Sequence, residues 1–382
     1  MDKIIHIVHG KANPNGSNGI SRVVYFLNKY QKLQGHKSEI WAFVDGVKRH
    51  ETLVRDEFVT IEMFPRLNLW NIWKHSMIQK FQKEPISIVH FHMIWFWDKN
   101  LLSRFLRHKQ IPFVAMAHGT YSIPLSYRGK KQIARFLLEI PFLNRANELH
   151  ALTPKEVADL KVYGAKRPAF IVPNGIEPEQ IPQNLTSDYF TNTYFNHKIK
   201  IGWIGVFRED KNLDLVIDAF GLLPNSIKEQ IHFIFMGPDH KKNKDKLIRH
   251  TEVNGYSNHF EFYDAVYNRQ KYDALNSFDL YIMPSSSEGF SMAILDAMAL
   301  AKPMILTRGC NMIDDYKSDF YQMCECSPTS IAHAIEAMLT RKHNWSAMGK
   351  NGQDLIYKKY NWNYISKSLI ANYQRILYGK NE

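Results

Sequence analysis

Cysteine is scarce in this sequence: Cys310, Cys324 and Cys326 are the only three. An odd number at that spacing builds neither a disulfide framework nor a four-ligand zinc site, so they read as structural thiols. Also missing is any apolar run approaching the roughly 18 residues of a membrane-crossing helix. The opening MDKIIHIVHG lacks an apolar stretch followed by a small-residue cleavage site. It reads as a strand rather than an export signal, and the expected location is cytoplasmic. The N-x-S/T triplets at Asn15, Asn184 and Asn344 then carry no glycosylation reading. Acids are the scarcer charge, 37 against 49 lysines and arginines, for a net +12. Such a balance suits a polyanion, an anionic membrane surface or phosphorylated ligands.

What is present argues for packed domains. The composition is 45% hydrophobic and 13% aromatic, which excludes disorder, and 382 residues suffice for two cores. Strand-like and helix-like runs alternate almost throughout, the pattern of parallel sheets covered on both faces. KIIHIVHG, SEIWAFV, SIVHFHM, PFVAMAHG and AFIVP are strand candidates in the first half, with ISRVVYFLNKYQKL as an amphipathic helix. In the second half KIKIGWIGVF, IHFIFMG, FEFYD, LYIMPSS and PMILT alternate with LDLVIDAFGLL, KYDALNSF, SMAILDAMALA and IAHAIEAMLT. The expectation is α/β: a Rossmann-like domain over 1–175, a polar irregular linker over 176–198, and a second Rossmann-like domain over 199–361. The remaining stretch, 362–382, places Ile365, Leu369, Tyr373 and Ile376 at helical spacing. That helix must pack on something, and the first domain is the candidate.

The chemistry concentrates in PSSSEGFSMAILDAMALAKP, residues 284–303, where Glu288 and Asp296 stand alone as acids in an apolar strand-loop-helix passage. Glu288 falls in the connecting loop, at the carboxyl end of a parallel sheet where helix N-termini attract phosphate. Asp296 lies two turns into the helix, and an unpaired carboxylate there would cost several kcal/mol unless something meets it. The plainer reading makes Glu288 a wet loop acid and Asp296 a complement to the helix dipole. Eight helical residues separate the two by about 12 Å of rise. A glycosidase pair stands roughly 5 to 9.5 Å apart, so the spacing suits two ends of one extended ligand better.

In GVFREDKNLDLVIDAF, Arg208 and Lys211 precede a helix N-terminus, where cations oppose the dipole unless an anion intervenes. A bound diphosphate would resolve that conflict, and pairing with Glu209 and Asp210 is the plain alternative. KANPNGSNGISRVV carries Gly16 and Gly19 into a helix start, where missing Cβ atoms allow close approach of a ligand or simply a turn. His118 ends the strand FVAMAHG, again at the ligand-facing edge, where a structural histidine is the alternative. No D-x-D pair occurs anywhere. The usual carboxylates for a metal-bound nucleotide diphosphate are therefore absent, leaving Arg208 and Lys211 to neutralise it.

These features together resemble glycosyltransferase family 4, retaining enzymes of the GT-B fold in which two Rossmann-like domains face each other across a cleft. EGFSMAILDAMALAKPMILT is similar to the family's E-x7-E motif and its continuation, IVPNGI to its interdomain segment, and SNGISR to its first glycine-rich loop. The resemblance implies that Glu288 faces the donor sugar, that the backbone of Gly289, Phe290 and Ser291 meets diphosphate and sugar, and that Asp296 meets the ribose. It implies that Arg208 and Lys211 hold the diphosphate, that Gly19 lets the first loop approach the donor, and that His118 lies near the transferred sugar and the acceptor. The co-substrate implied is a UDP- or GDP-linked sugar, with no cofactor and no metal. Two departures stand out: the second motif acid is Asp296 rather than Glu, and the family's usual arginine position holds Val206.

YRGKKQIARFLLEIPFL clusters Arg128, Lys130, Lys131 and Arg135 beside apolar residues, and RLNLWNIWKHSMIQKF mixes Trp70 and Trp73 with bases. Basic aromatic segments lie on anionic bilayers or pack on a sheet. The first case implies peripheral contact with the inner face of the membrane and a lipid-linked glycan acceptor, in capsular, exopolysaccharide or lipopolysaccharide assembly. The competing reading is a catalytically degenerate GT-B partner subunit that binds nucleotide sugar without turnover. Nucleic-acid binding has only the net charge behind it and no motif.

Overall fold

The computed structural model describes residues 2–13, 19–67, 74–92, 96–120, 130–190, 197–312 and 319–379. Gly16, Trp70, Trp73 and Arg128 lie outside these residues, as do the side chains of Lys130 and Lys131. The chain forms two units, one of residues 1–174 with 362–382, the other of Gly175–Asn361. The stretch expected as a linker, 176–198, falls within the second unit. Ile176 bridges to Asn361, and Phe190 stacks on Phe278 at 5.7 Å.

The first unit is built on an eight-stranded sheet: β1 (Ile4–His9), β2 (Ser38–Phe43), β3 (Glu51–Val54), β4 (Thr60–Phe64), β5 (Ile88–Phe91), β6 (Phe113–Met116), β7 (Glu148–Ala151) and β8 (Ala169–Ile171). Their order is β3-β4-β2-β1-β5-β6-β7-β8, parallel except where β3 pairs antiparallel with β4. Among the described residues, the helices between strands are α1 (Gly19–Leu33), α2 (Ser76–Lys83), α3 (Trp97–His108), α4 (Lys130–Ala134), α5 (Ile140–Arg145) and α6 (Pro154–Tyr163). A π-helical turn, Arg135–Glu139, joins α4 to α5. Near-continuous Ile, Val and Phe in the central strands reflect burial on both faces, and each face has its own apolar cluster.

The second unit's strands are β9 (Ile199–Ile204), β10 (Ile231–Met236), β11 (Phe260–Tyr263), β12 (Leu280–Met283), β13 (Met304–Thr307) and β14 (Tyr321–Cys324), in the all-parallel order β11-β10-β9-β12-β13-β14. Its helices are α7 (Leu213–Leu222), α8 (Asn225–Lys228), α9 (Asn243–Val253), α10 (Asn268–Asn276), α11 (Met292–Ala299), α12 (Pro328–Thr340) and α13 (Trp345–Lys358). The strand order reverses between β9 and β12. In doubly wound sheets the loops after two such strands diverge and leave a crevice for ligand.

The last helix, α14 (Trp362–Tyr378), belongs to the first unit. Trp362, Ile365, Leu369, Ile370 and Tyr373 join one of its apolar clusters, and Trp362 stacks on Phe26 of α1. No described helix is long and apolar enough to cross a membrane.

Candidate functional site

At the reversal in the second unit, the loop after β9 meets the loop after β12. Glu209–Lys211 forms a short 3-10 turn after the extended Arg208, Asn212 follows in the left-handed region at φ 51, and α7 then begins. The turn throws Lys211 inward while Arg208 stays outside. Lys211 Nζ donates to Glu288 Oε1 at 2.6 Å, and Ser285 Oγ donates to the same oxygen at 2.7 Å. One backbone and one side-chain bond fix the two loops to each other: Ser286 N–H donates to Asp210 O at 3.0 Å, and Asn212 Nδ2 to Pro284 O at 3.0 Å. From the other side Glu288 N–H donates to Gly309 O at 2.8 Å, and Asn311 Nδ2 donates to Glu288 O. A Cβ on Gly309 would stand 2.4 Å from Ser285 O, so only glycine allows this approach. Glu288 and Lys211 are thus a clamped, nearly dry ion pair at a sheet's carboxyl edge.

Arg208 is turned away from that pair. It grips Asp210 with Nε at 2.9 Å and Nη2 at 2.7 Å, on a half-exposed loop. The pairing pulls the Asp210 carboxyl below its usual range even though partial burial pushes it up. Of the two cations expected at a diphosphate, Lys211 points into the site in this structure and Arg208 makes the local pair. Val206 precedes the buried Phe207, whose N–H donates to Pro238 O at 3.0 Å.

Past Glu288, Ser291 sits at the N-cap of α11 with no side-chain capping bond, so the helix's first N–H groups depend on loop, water or ligand. Phe290 is buried against Tyr360 at 5.3 Å, leaving only its backbone to face a ligand. Asp296 is 3% exposed and does not wait for a ligand. Lys271 Nζ of α10 donates to its Oδ2 at 2.7 Å and the Tyr272 hydroxyl to its Oδ1 at 3.3 Å. The desolvation cost that pointed to ribose is met from within the protein. Lys271 was invisible in the sequence because α10 and α11 are brought together only by the fold.

Two of the sequence-derived residues, Gly19 and His118, belong to the first unit. Gly19 opens α1, and a Cβ there would meet nothing within 4 Å among the described residues. His118 follows β6 in the left-handed region, φ 53, with Gly119 beside it at φ 75. That strained corner is held by Glu156, which accepts Gly119 N–H and Leu152 N–H at 2.6 Å each. Thr153 caps α6 by accepting the Glu156 N–H at 3.1 Å. Burial pushes the Glu156 pKa up to about 7, against those N–H bonds. Behind His118 stand more histidines: His92 Nδ1 lies 3.1 Å from His118 Nε2, and His6 Nδ1 2.8 Å from His92 Nε2. Alternation in β5 places His90 and His92 on one face, a signal present in VHFHM. Cys310 and Cys324 are buried and unpaired, their thiols pushed up by burial, so they have no reactive character.

The halves of the chain match two family models in turn. Residues 17–180 match Glycosyltransferase Family 4, and residues 190–355 match Glycosyl transferases group 1. The chain belongs to the family 4 glycosyltransferases. An uncharacterized glycosyltransferase of Methanocaldococcus jannaschii is 24% identical to this transferase over 84% of the chain and 82% of its own length. Sucrose-phosphate synthase of Thermosynechococcus elongatus superimposes with a TM-score of 0.78 at 14% identity, covering all of both chains. HepE of Anabaena, solved in complex with UDP, superimposes at 0.75 and 14% identity over 97% of this transferase and 99% of its own chain. These likenesses establish the GT-B fold for the transferase.

Proposed function

We propose that this transferase is a metal-independent retaining hexosyltransferase that moves a sugar from a UDP- or GDP-linked donor to a glycan acceptor. The carrying observation is the Lys211–Glu288 pair, clamped at 2.6 Å at the point where the second sheet reverses. Beside it, the uncapped start of α11 offers N–H groups to a diphosphate. A lysine pre-positioned by a fixed carboxylate needs no reorganisation to stabilise a leaving diphosphate. The UDP named with the HepE structure makes UDP the first donor base to try.

In the proposed chemistry the bond between sugar C1 and the leaving phosphate oxygen breaks as the acceptor oxygen bonds C1 on the same face. The acceptor's proton passes to the departing phosphate oxygen, and no metal takes part. Glu288 faces the donor sugar, Lys211 the diphosphate, and the backbone of Gly289, Phe290 and Ser291 the sugar and phosphates. Arg208 joins the diphosphate by leaving Asp210. At Asp296 the ribose contact is shared with Lys271, while Gly19 admits the donor to the first unit's loop and His118 meets the transferred sugar.

The acceptor we assign is a lipid-linked glycan of surface-polysaccharide assembly, met by peripheral contact with an anionic membrane at its inner face. The support is an apolar surface around α4 and the π turn: Ile133, Phe136, Leu137 and neighbouring Val162 are each more than half exposed. Arg135 holds the patch together by donating to the Tyr163 and Val162 carbonyls at 2.6 and 3.3 Å.

The test is a thermal-shift screen against UDP, GDP and ADP sugars followed by transfer assays with the donor that stabilises most. Glu288→Gln should remove transfer while the protein stays folded and still binds nucleotide. Full activity in that variant would sink the role given to Glu288. Donor binding with neither transfer nor slow donor hydrolysis would instead support a degenerate partner subunit, the reading that Val206 and the engaged Asp296 favour.

A further inference from the structure

We propose that Ser285 is a positioning residue for transfer: its hydroxyl keeps hold of Glu288 Oε1 while Lys211 is drawn to the diphosphate, so that Oε2 is the oxygen presented to the donor sugar. The role rests on the proposed placing of Glu288 at the donor sugar and Lys211 at the diphosphate. The division of the carboxylate rests on the second unit's geometry alone.

Among the described residues two groups donate to the Glu288 carboxylate, and both meet the same oxygen. Lys211 Nζ stands 2.6 Å from Oε1 and Ser285 Oγ 2.7 Å from it. Oε2 has no partner among the described residues, and it is not one of the sealed polar atoms, so solvent reaches it. A carboxylate pinned through one oxygen has a single orientation and offers the other oxygen as an acceptor for a hydroxyl.

The two donors differ in what holds them. Lys211 carries its charge at the end of a long flexible stem, and a second carboxylate, Asp210, lies 3.6 Å from its Nζ. A diphosphate in the crevice draws that ammonium more strongly than one carboxylate does. Ser285 is uncharged, fully buried and turns about one side-chain bond. Its backbone is fixed elsewhere: Thr307 Oγ1 donates to Ser285 O at 2.5 Å, Asn212 Nδ2 to Pro284 O, and Ser286 N–H to Asp210 O. Glu288 N–H is tied to Gly309 O from the far side. The loop therefore stands without the Ser285 hydroxyl, whose one proton is left for the carboxylate. Without that proton, Glu288 Oε1 would lose its last donor as Lys211 turns to the leaving group, and the nearly dry side chain would swing toward water.

The test uses the full-length chain, the sugar nucleotide of the UDP, GDP and ADP panel that stabilises the wild type most, and its free nucleoside diphosphate. Ser285→Ala should lower kcat, for transfer or for slow donor hydrolysis, by about tenfold or more, the scale of one charge-assisted hydrogen bond. KM for the donor and Kd for the nucleoside diphosphate should each change less than about threefold, because Lys211 and the loop are intact. Ser285→Thr keeps the hydroxyl and should return kcat to within about threefold of wild type. Unchanged kcat in Ser285→Ala overturns the role. So does kcat lost together with diphosphate affinity, or a Ser285→Ala chain that does not fold, since the hydroxyl would then be supporting the loop. A wild type that binds none of the sugar nucleotides, or turns none of them over, removes the transferase reading and this role with it. A wild type that turns over beside an unaltered Ser285→Ala removes the role alone.

Discussion

Lys211 and Lys271 each hold one of the two acids that made residues 284–303 conspicuous, but in different surroundings. Lys211 meets Glu288 in the crevice formed by the loops after β9 and β12, where a leaving diphosphate would lie. Lys211→Met should therefore lower kcat by about 10²- to 10³-fold with the preferred donor, the scale of removing one preorganised charge-stabilising group. Arg208→Met should cost less, since that guanidinium is half exposed and already paired with Asp210. Steady-state kinetics of the two variants side by side would check the order, and an equal loss would return Arg208 to the front rank. Lys271 has a structural task. Lys271→Met strands the buried Asp296 carboxylate and should lower unfolding free energy by about 3 kcal/mol in urea titrations. Lys271→Met with Asp296→Leu should recover most of that loss, because the isolated charge is then gone.

Among the elements, α6 and the π turn have the clearest consequences. The first turn of α6 brings Glu156 under the His118–Gly119 corner. Its folded pKa of about 7 lies above the ordinary 4.5. The folded state thus holds this proton more tightly than the unfolded chain does. Its stabilising contribution is complete below about pH 4.5 and is lost as pH rises through about 7. Stability measured against pH in wild type and Glu156→Gln should diverge over that window, with the wild type falling relative to the variant. Parallel curves would mean that Glu156 is ionised throughout. At the π turn, the exposed side chains sit above a buried Lys99–Glu139 pair at 2.5 Å, which ties the turn to α3. Phe136→Asp with Leu137→Asp should weaken binding to phosphatidylglycerol vesicles more than tenfold with little change in melting temperature. Unchanged sedimentation with vesicles would dismiss this surface as a membrane contact.

On the scale of the whole molecule, the sequence carried the α/β class clearly and the strand inventory less completely. Continuous apolar strands such as IIHIVH and IHFIFM announce themselves because both faces are buried. β3 (ETLV), β4 (TIEMF), β7 (ELHA) and β14 (YQMC) are short and polar at one or more positions, and none was expected. β3 and β14 are also sheet edges, where burial imposes less pattern. The meeting of Lys211 and Glu288 was legible only through the parallel topology, which puts two loops distant in sequence at one reversal point. Lys271 had no local signature, because its meeting with Asp296 is set by two helices packed side by side, and of the histidines only His90 and His92 were signalled, by their alternation in VHFHM. Each unit buries its own set of apolar residues, so calorimetry should resolve two transitions. Removing residues 362–382 should erase the first unit's transition and leave the second's nearly in place.

That last expectation has a counterpart during synthesis. The first unit cannot close its core until α14 arrives, since Trp362 and Tyr373 fill space beside α1 and β5. The second unit, Gly175–Asn361, is complete before α14 is made. On the ribosome the order of folding should therefore run against the order of translation, with the earlier half waiting, partly open and in need of protection, for the later one to finish.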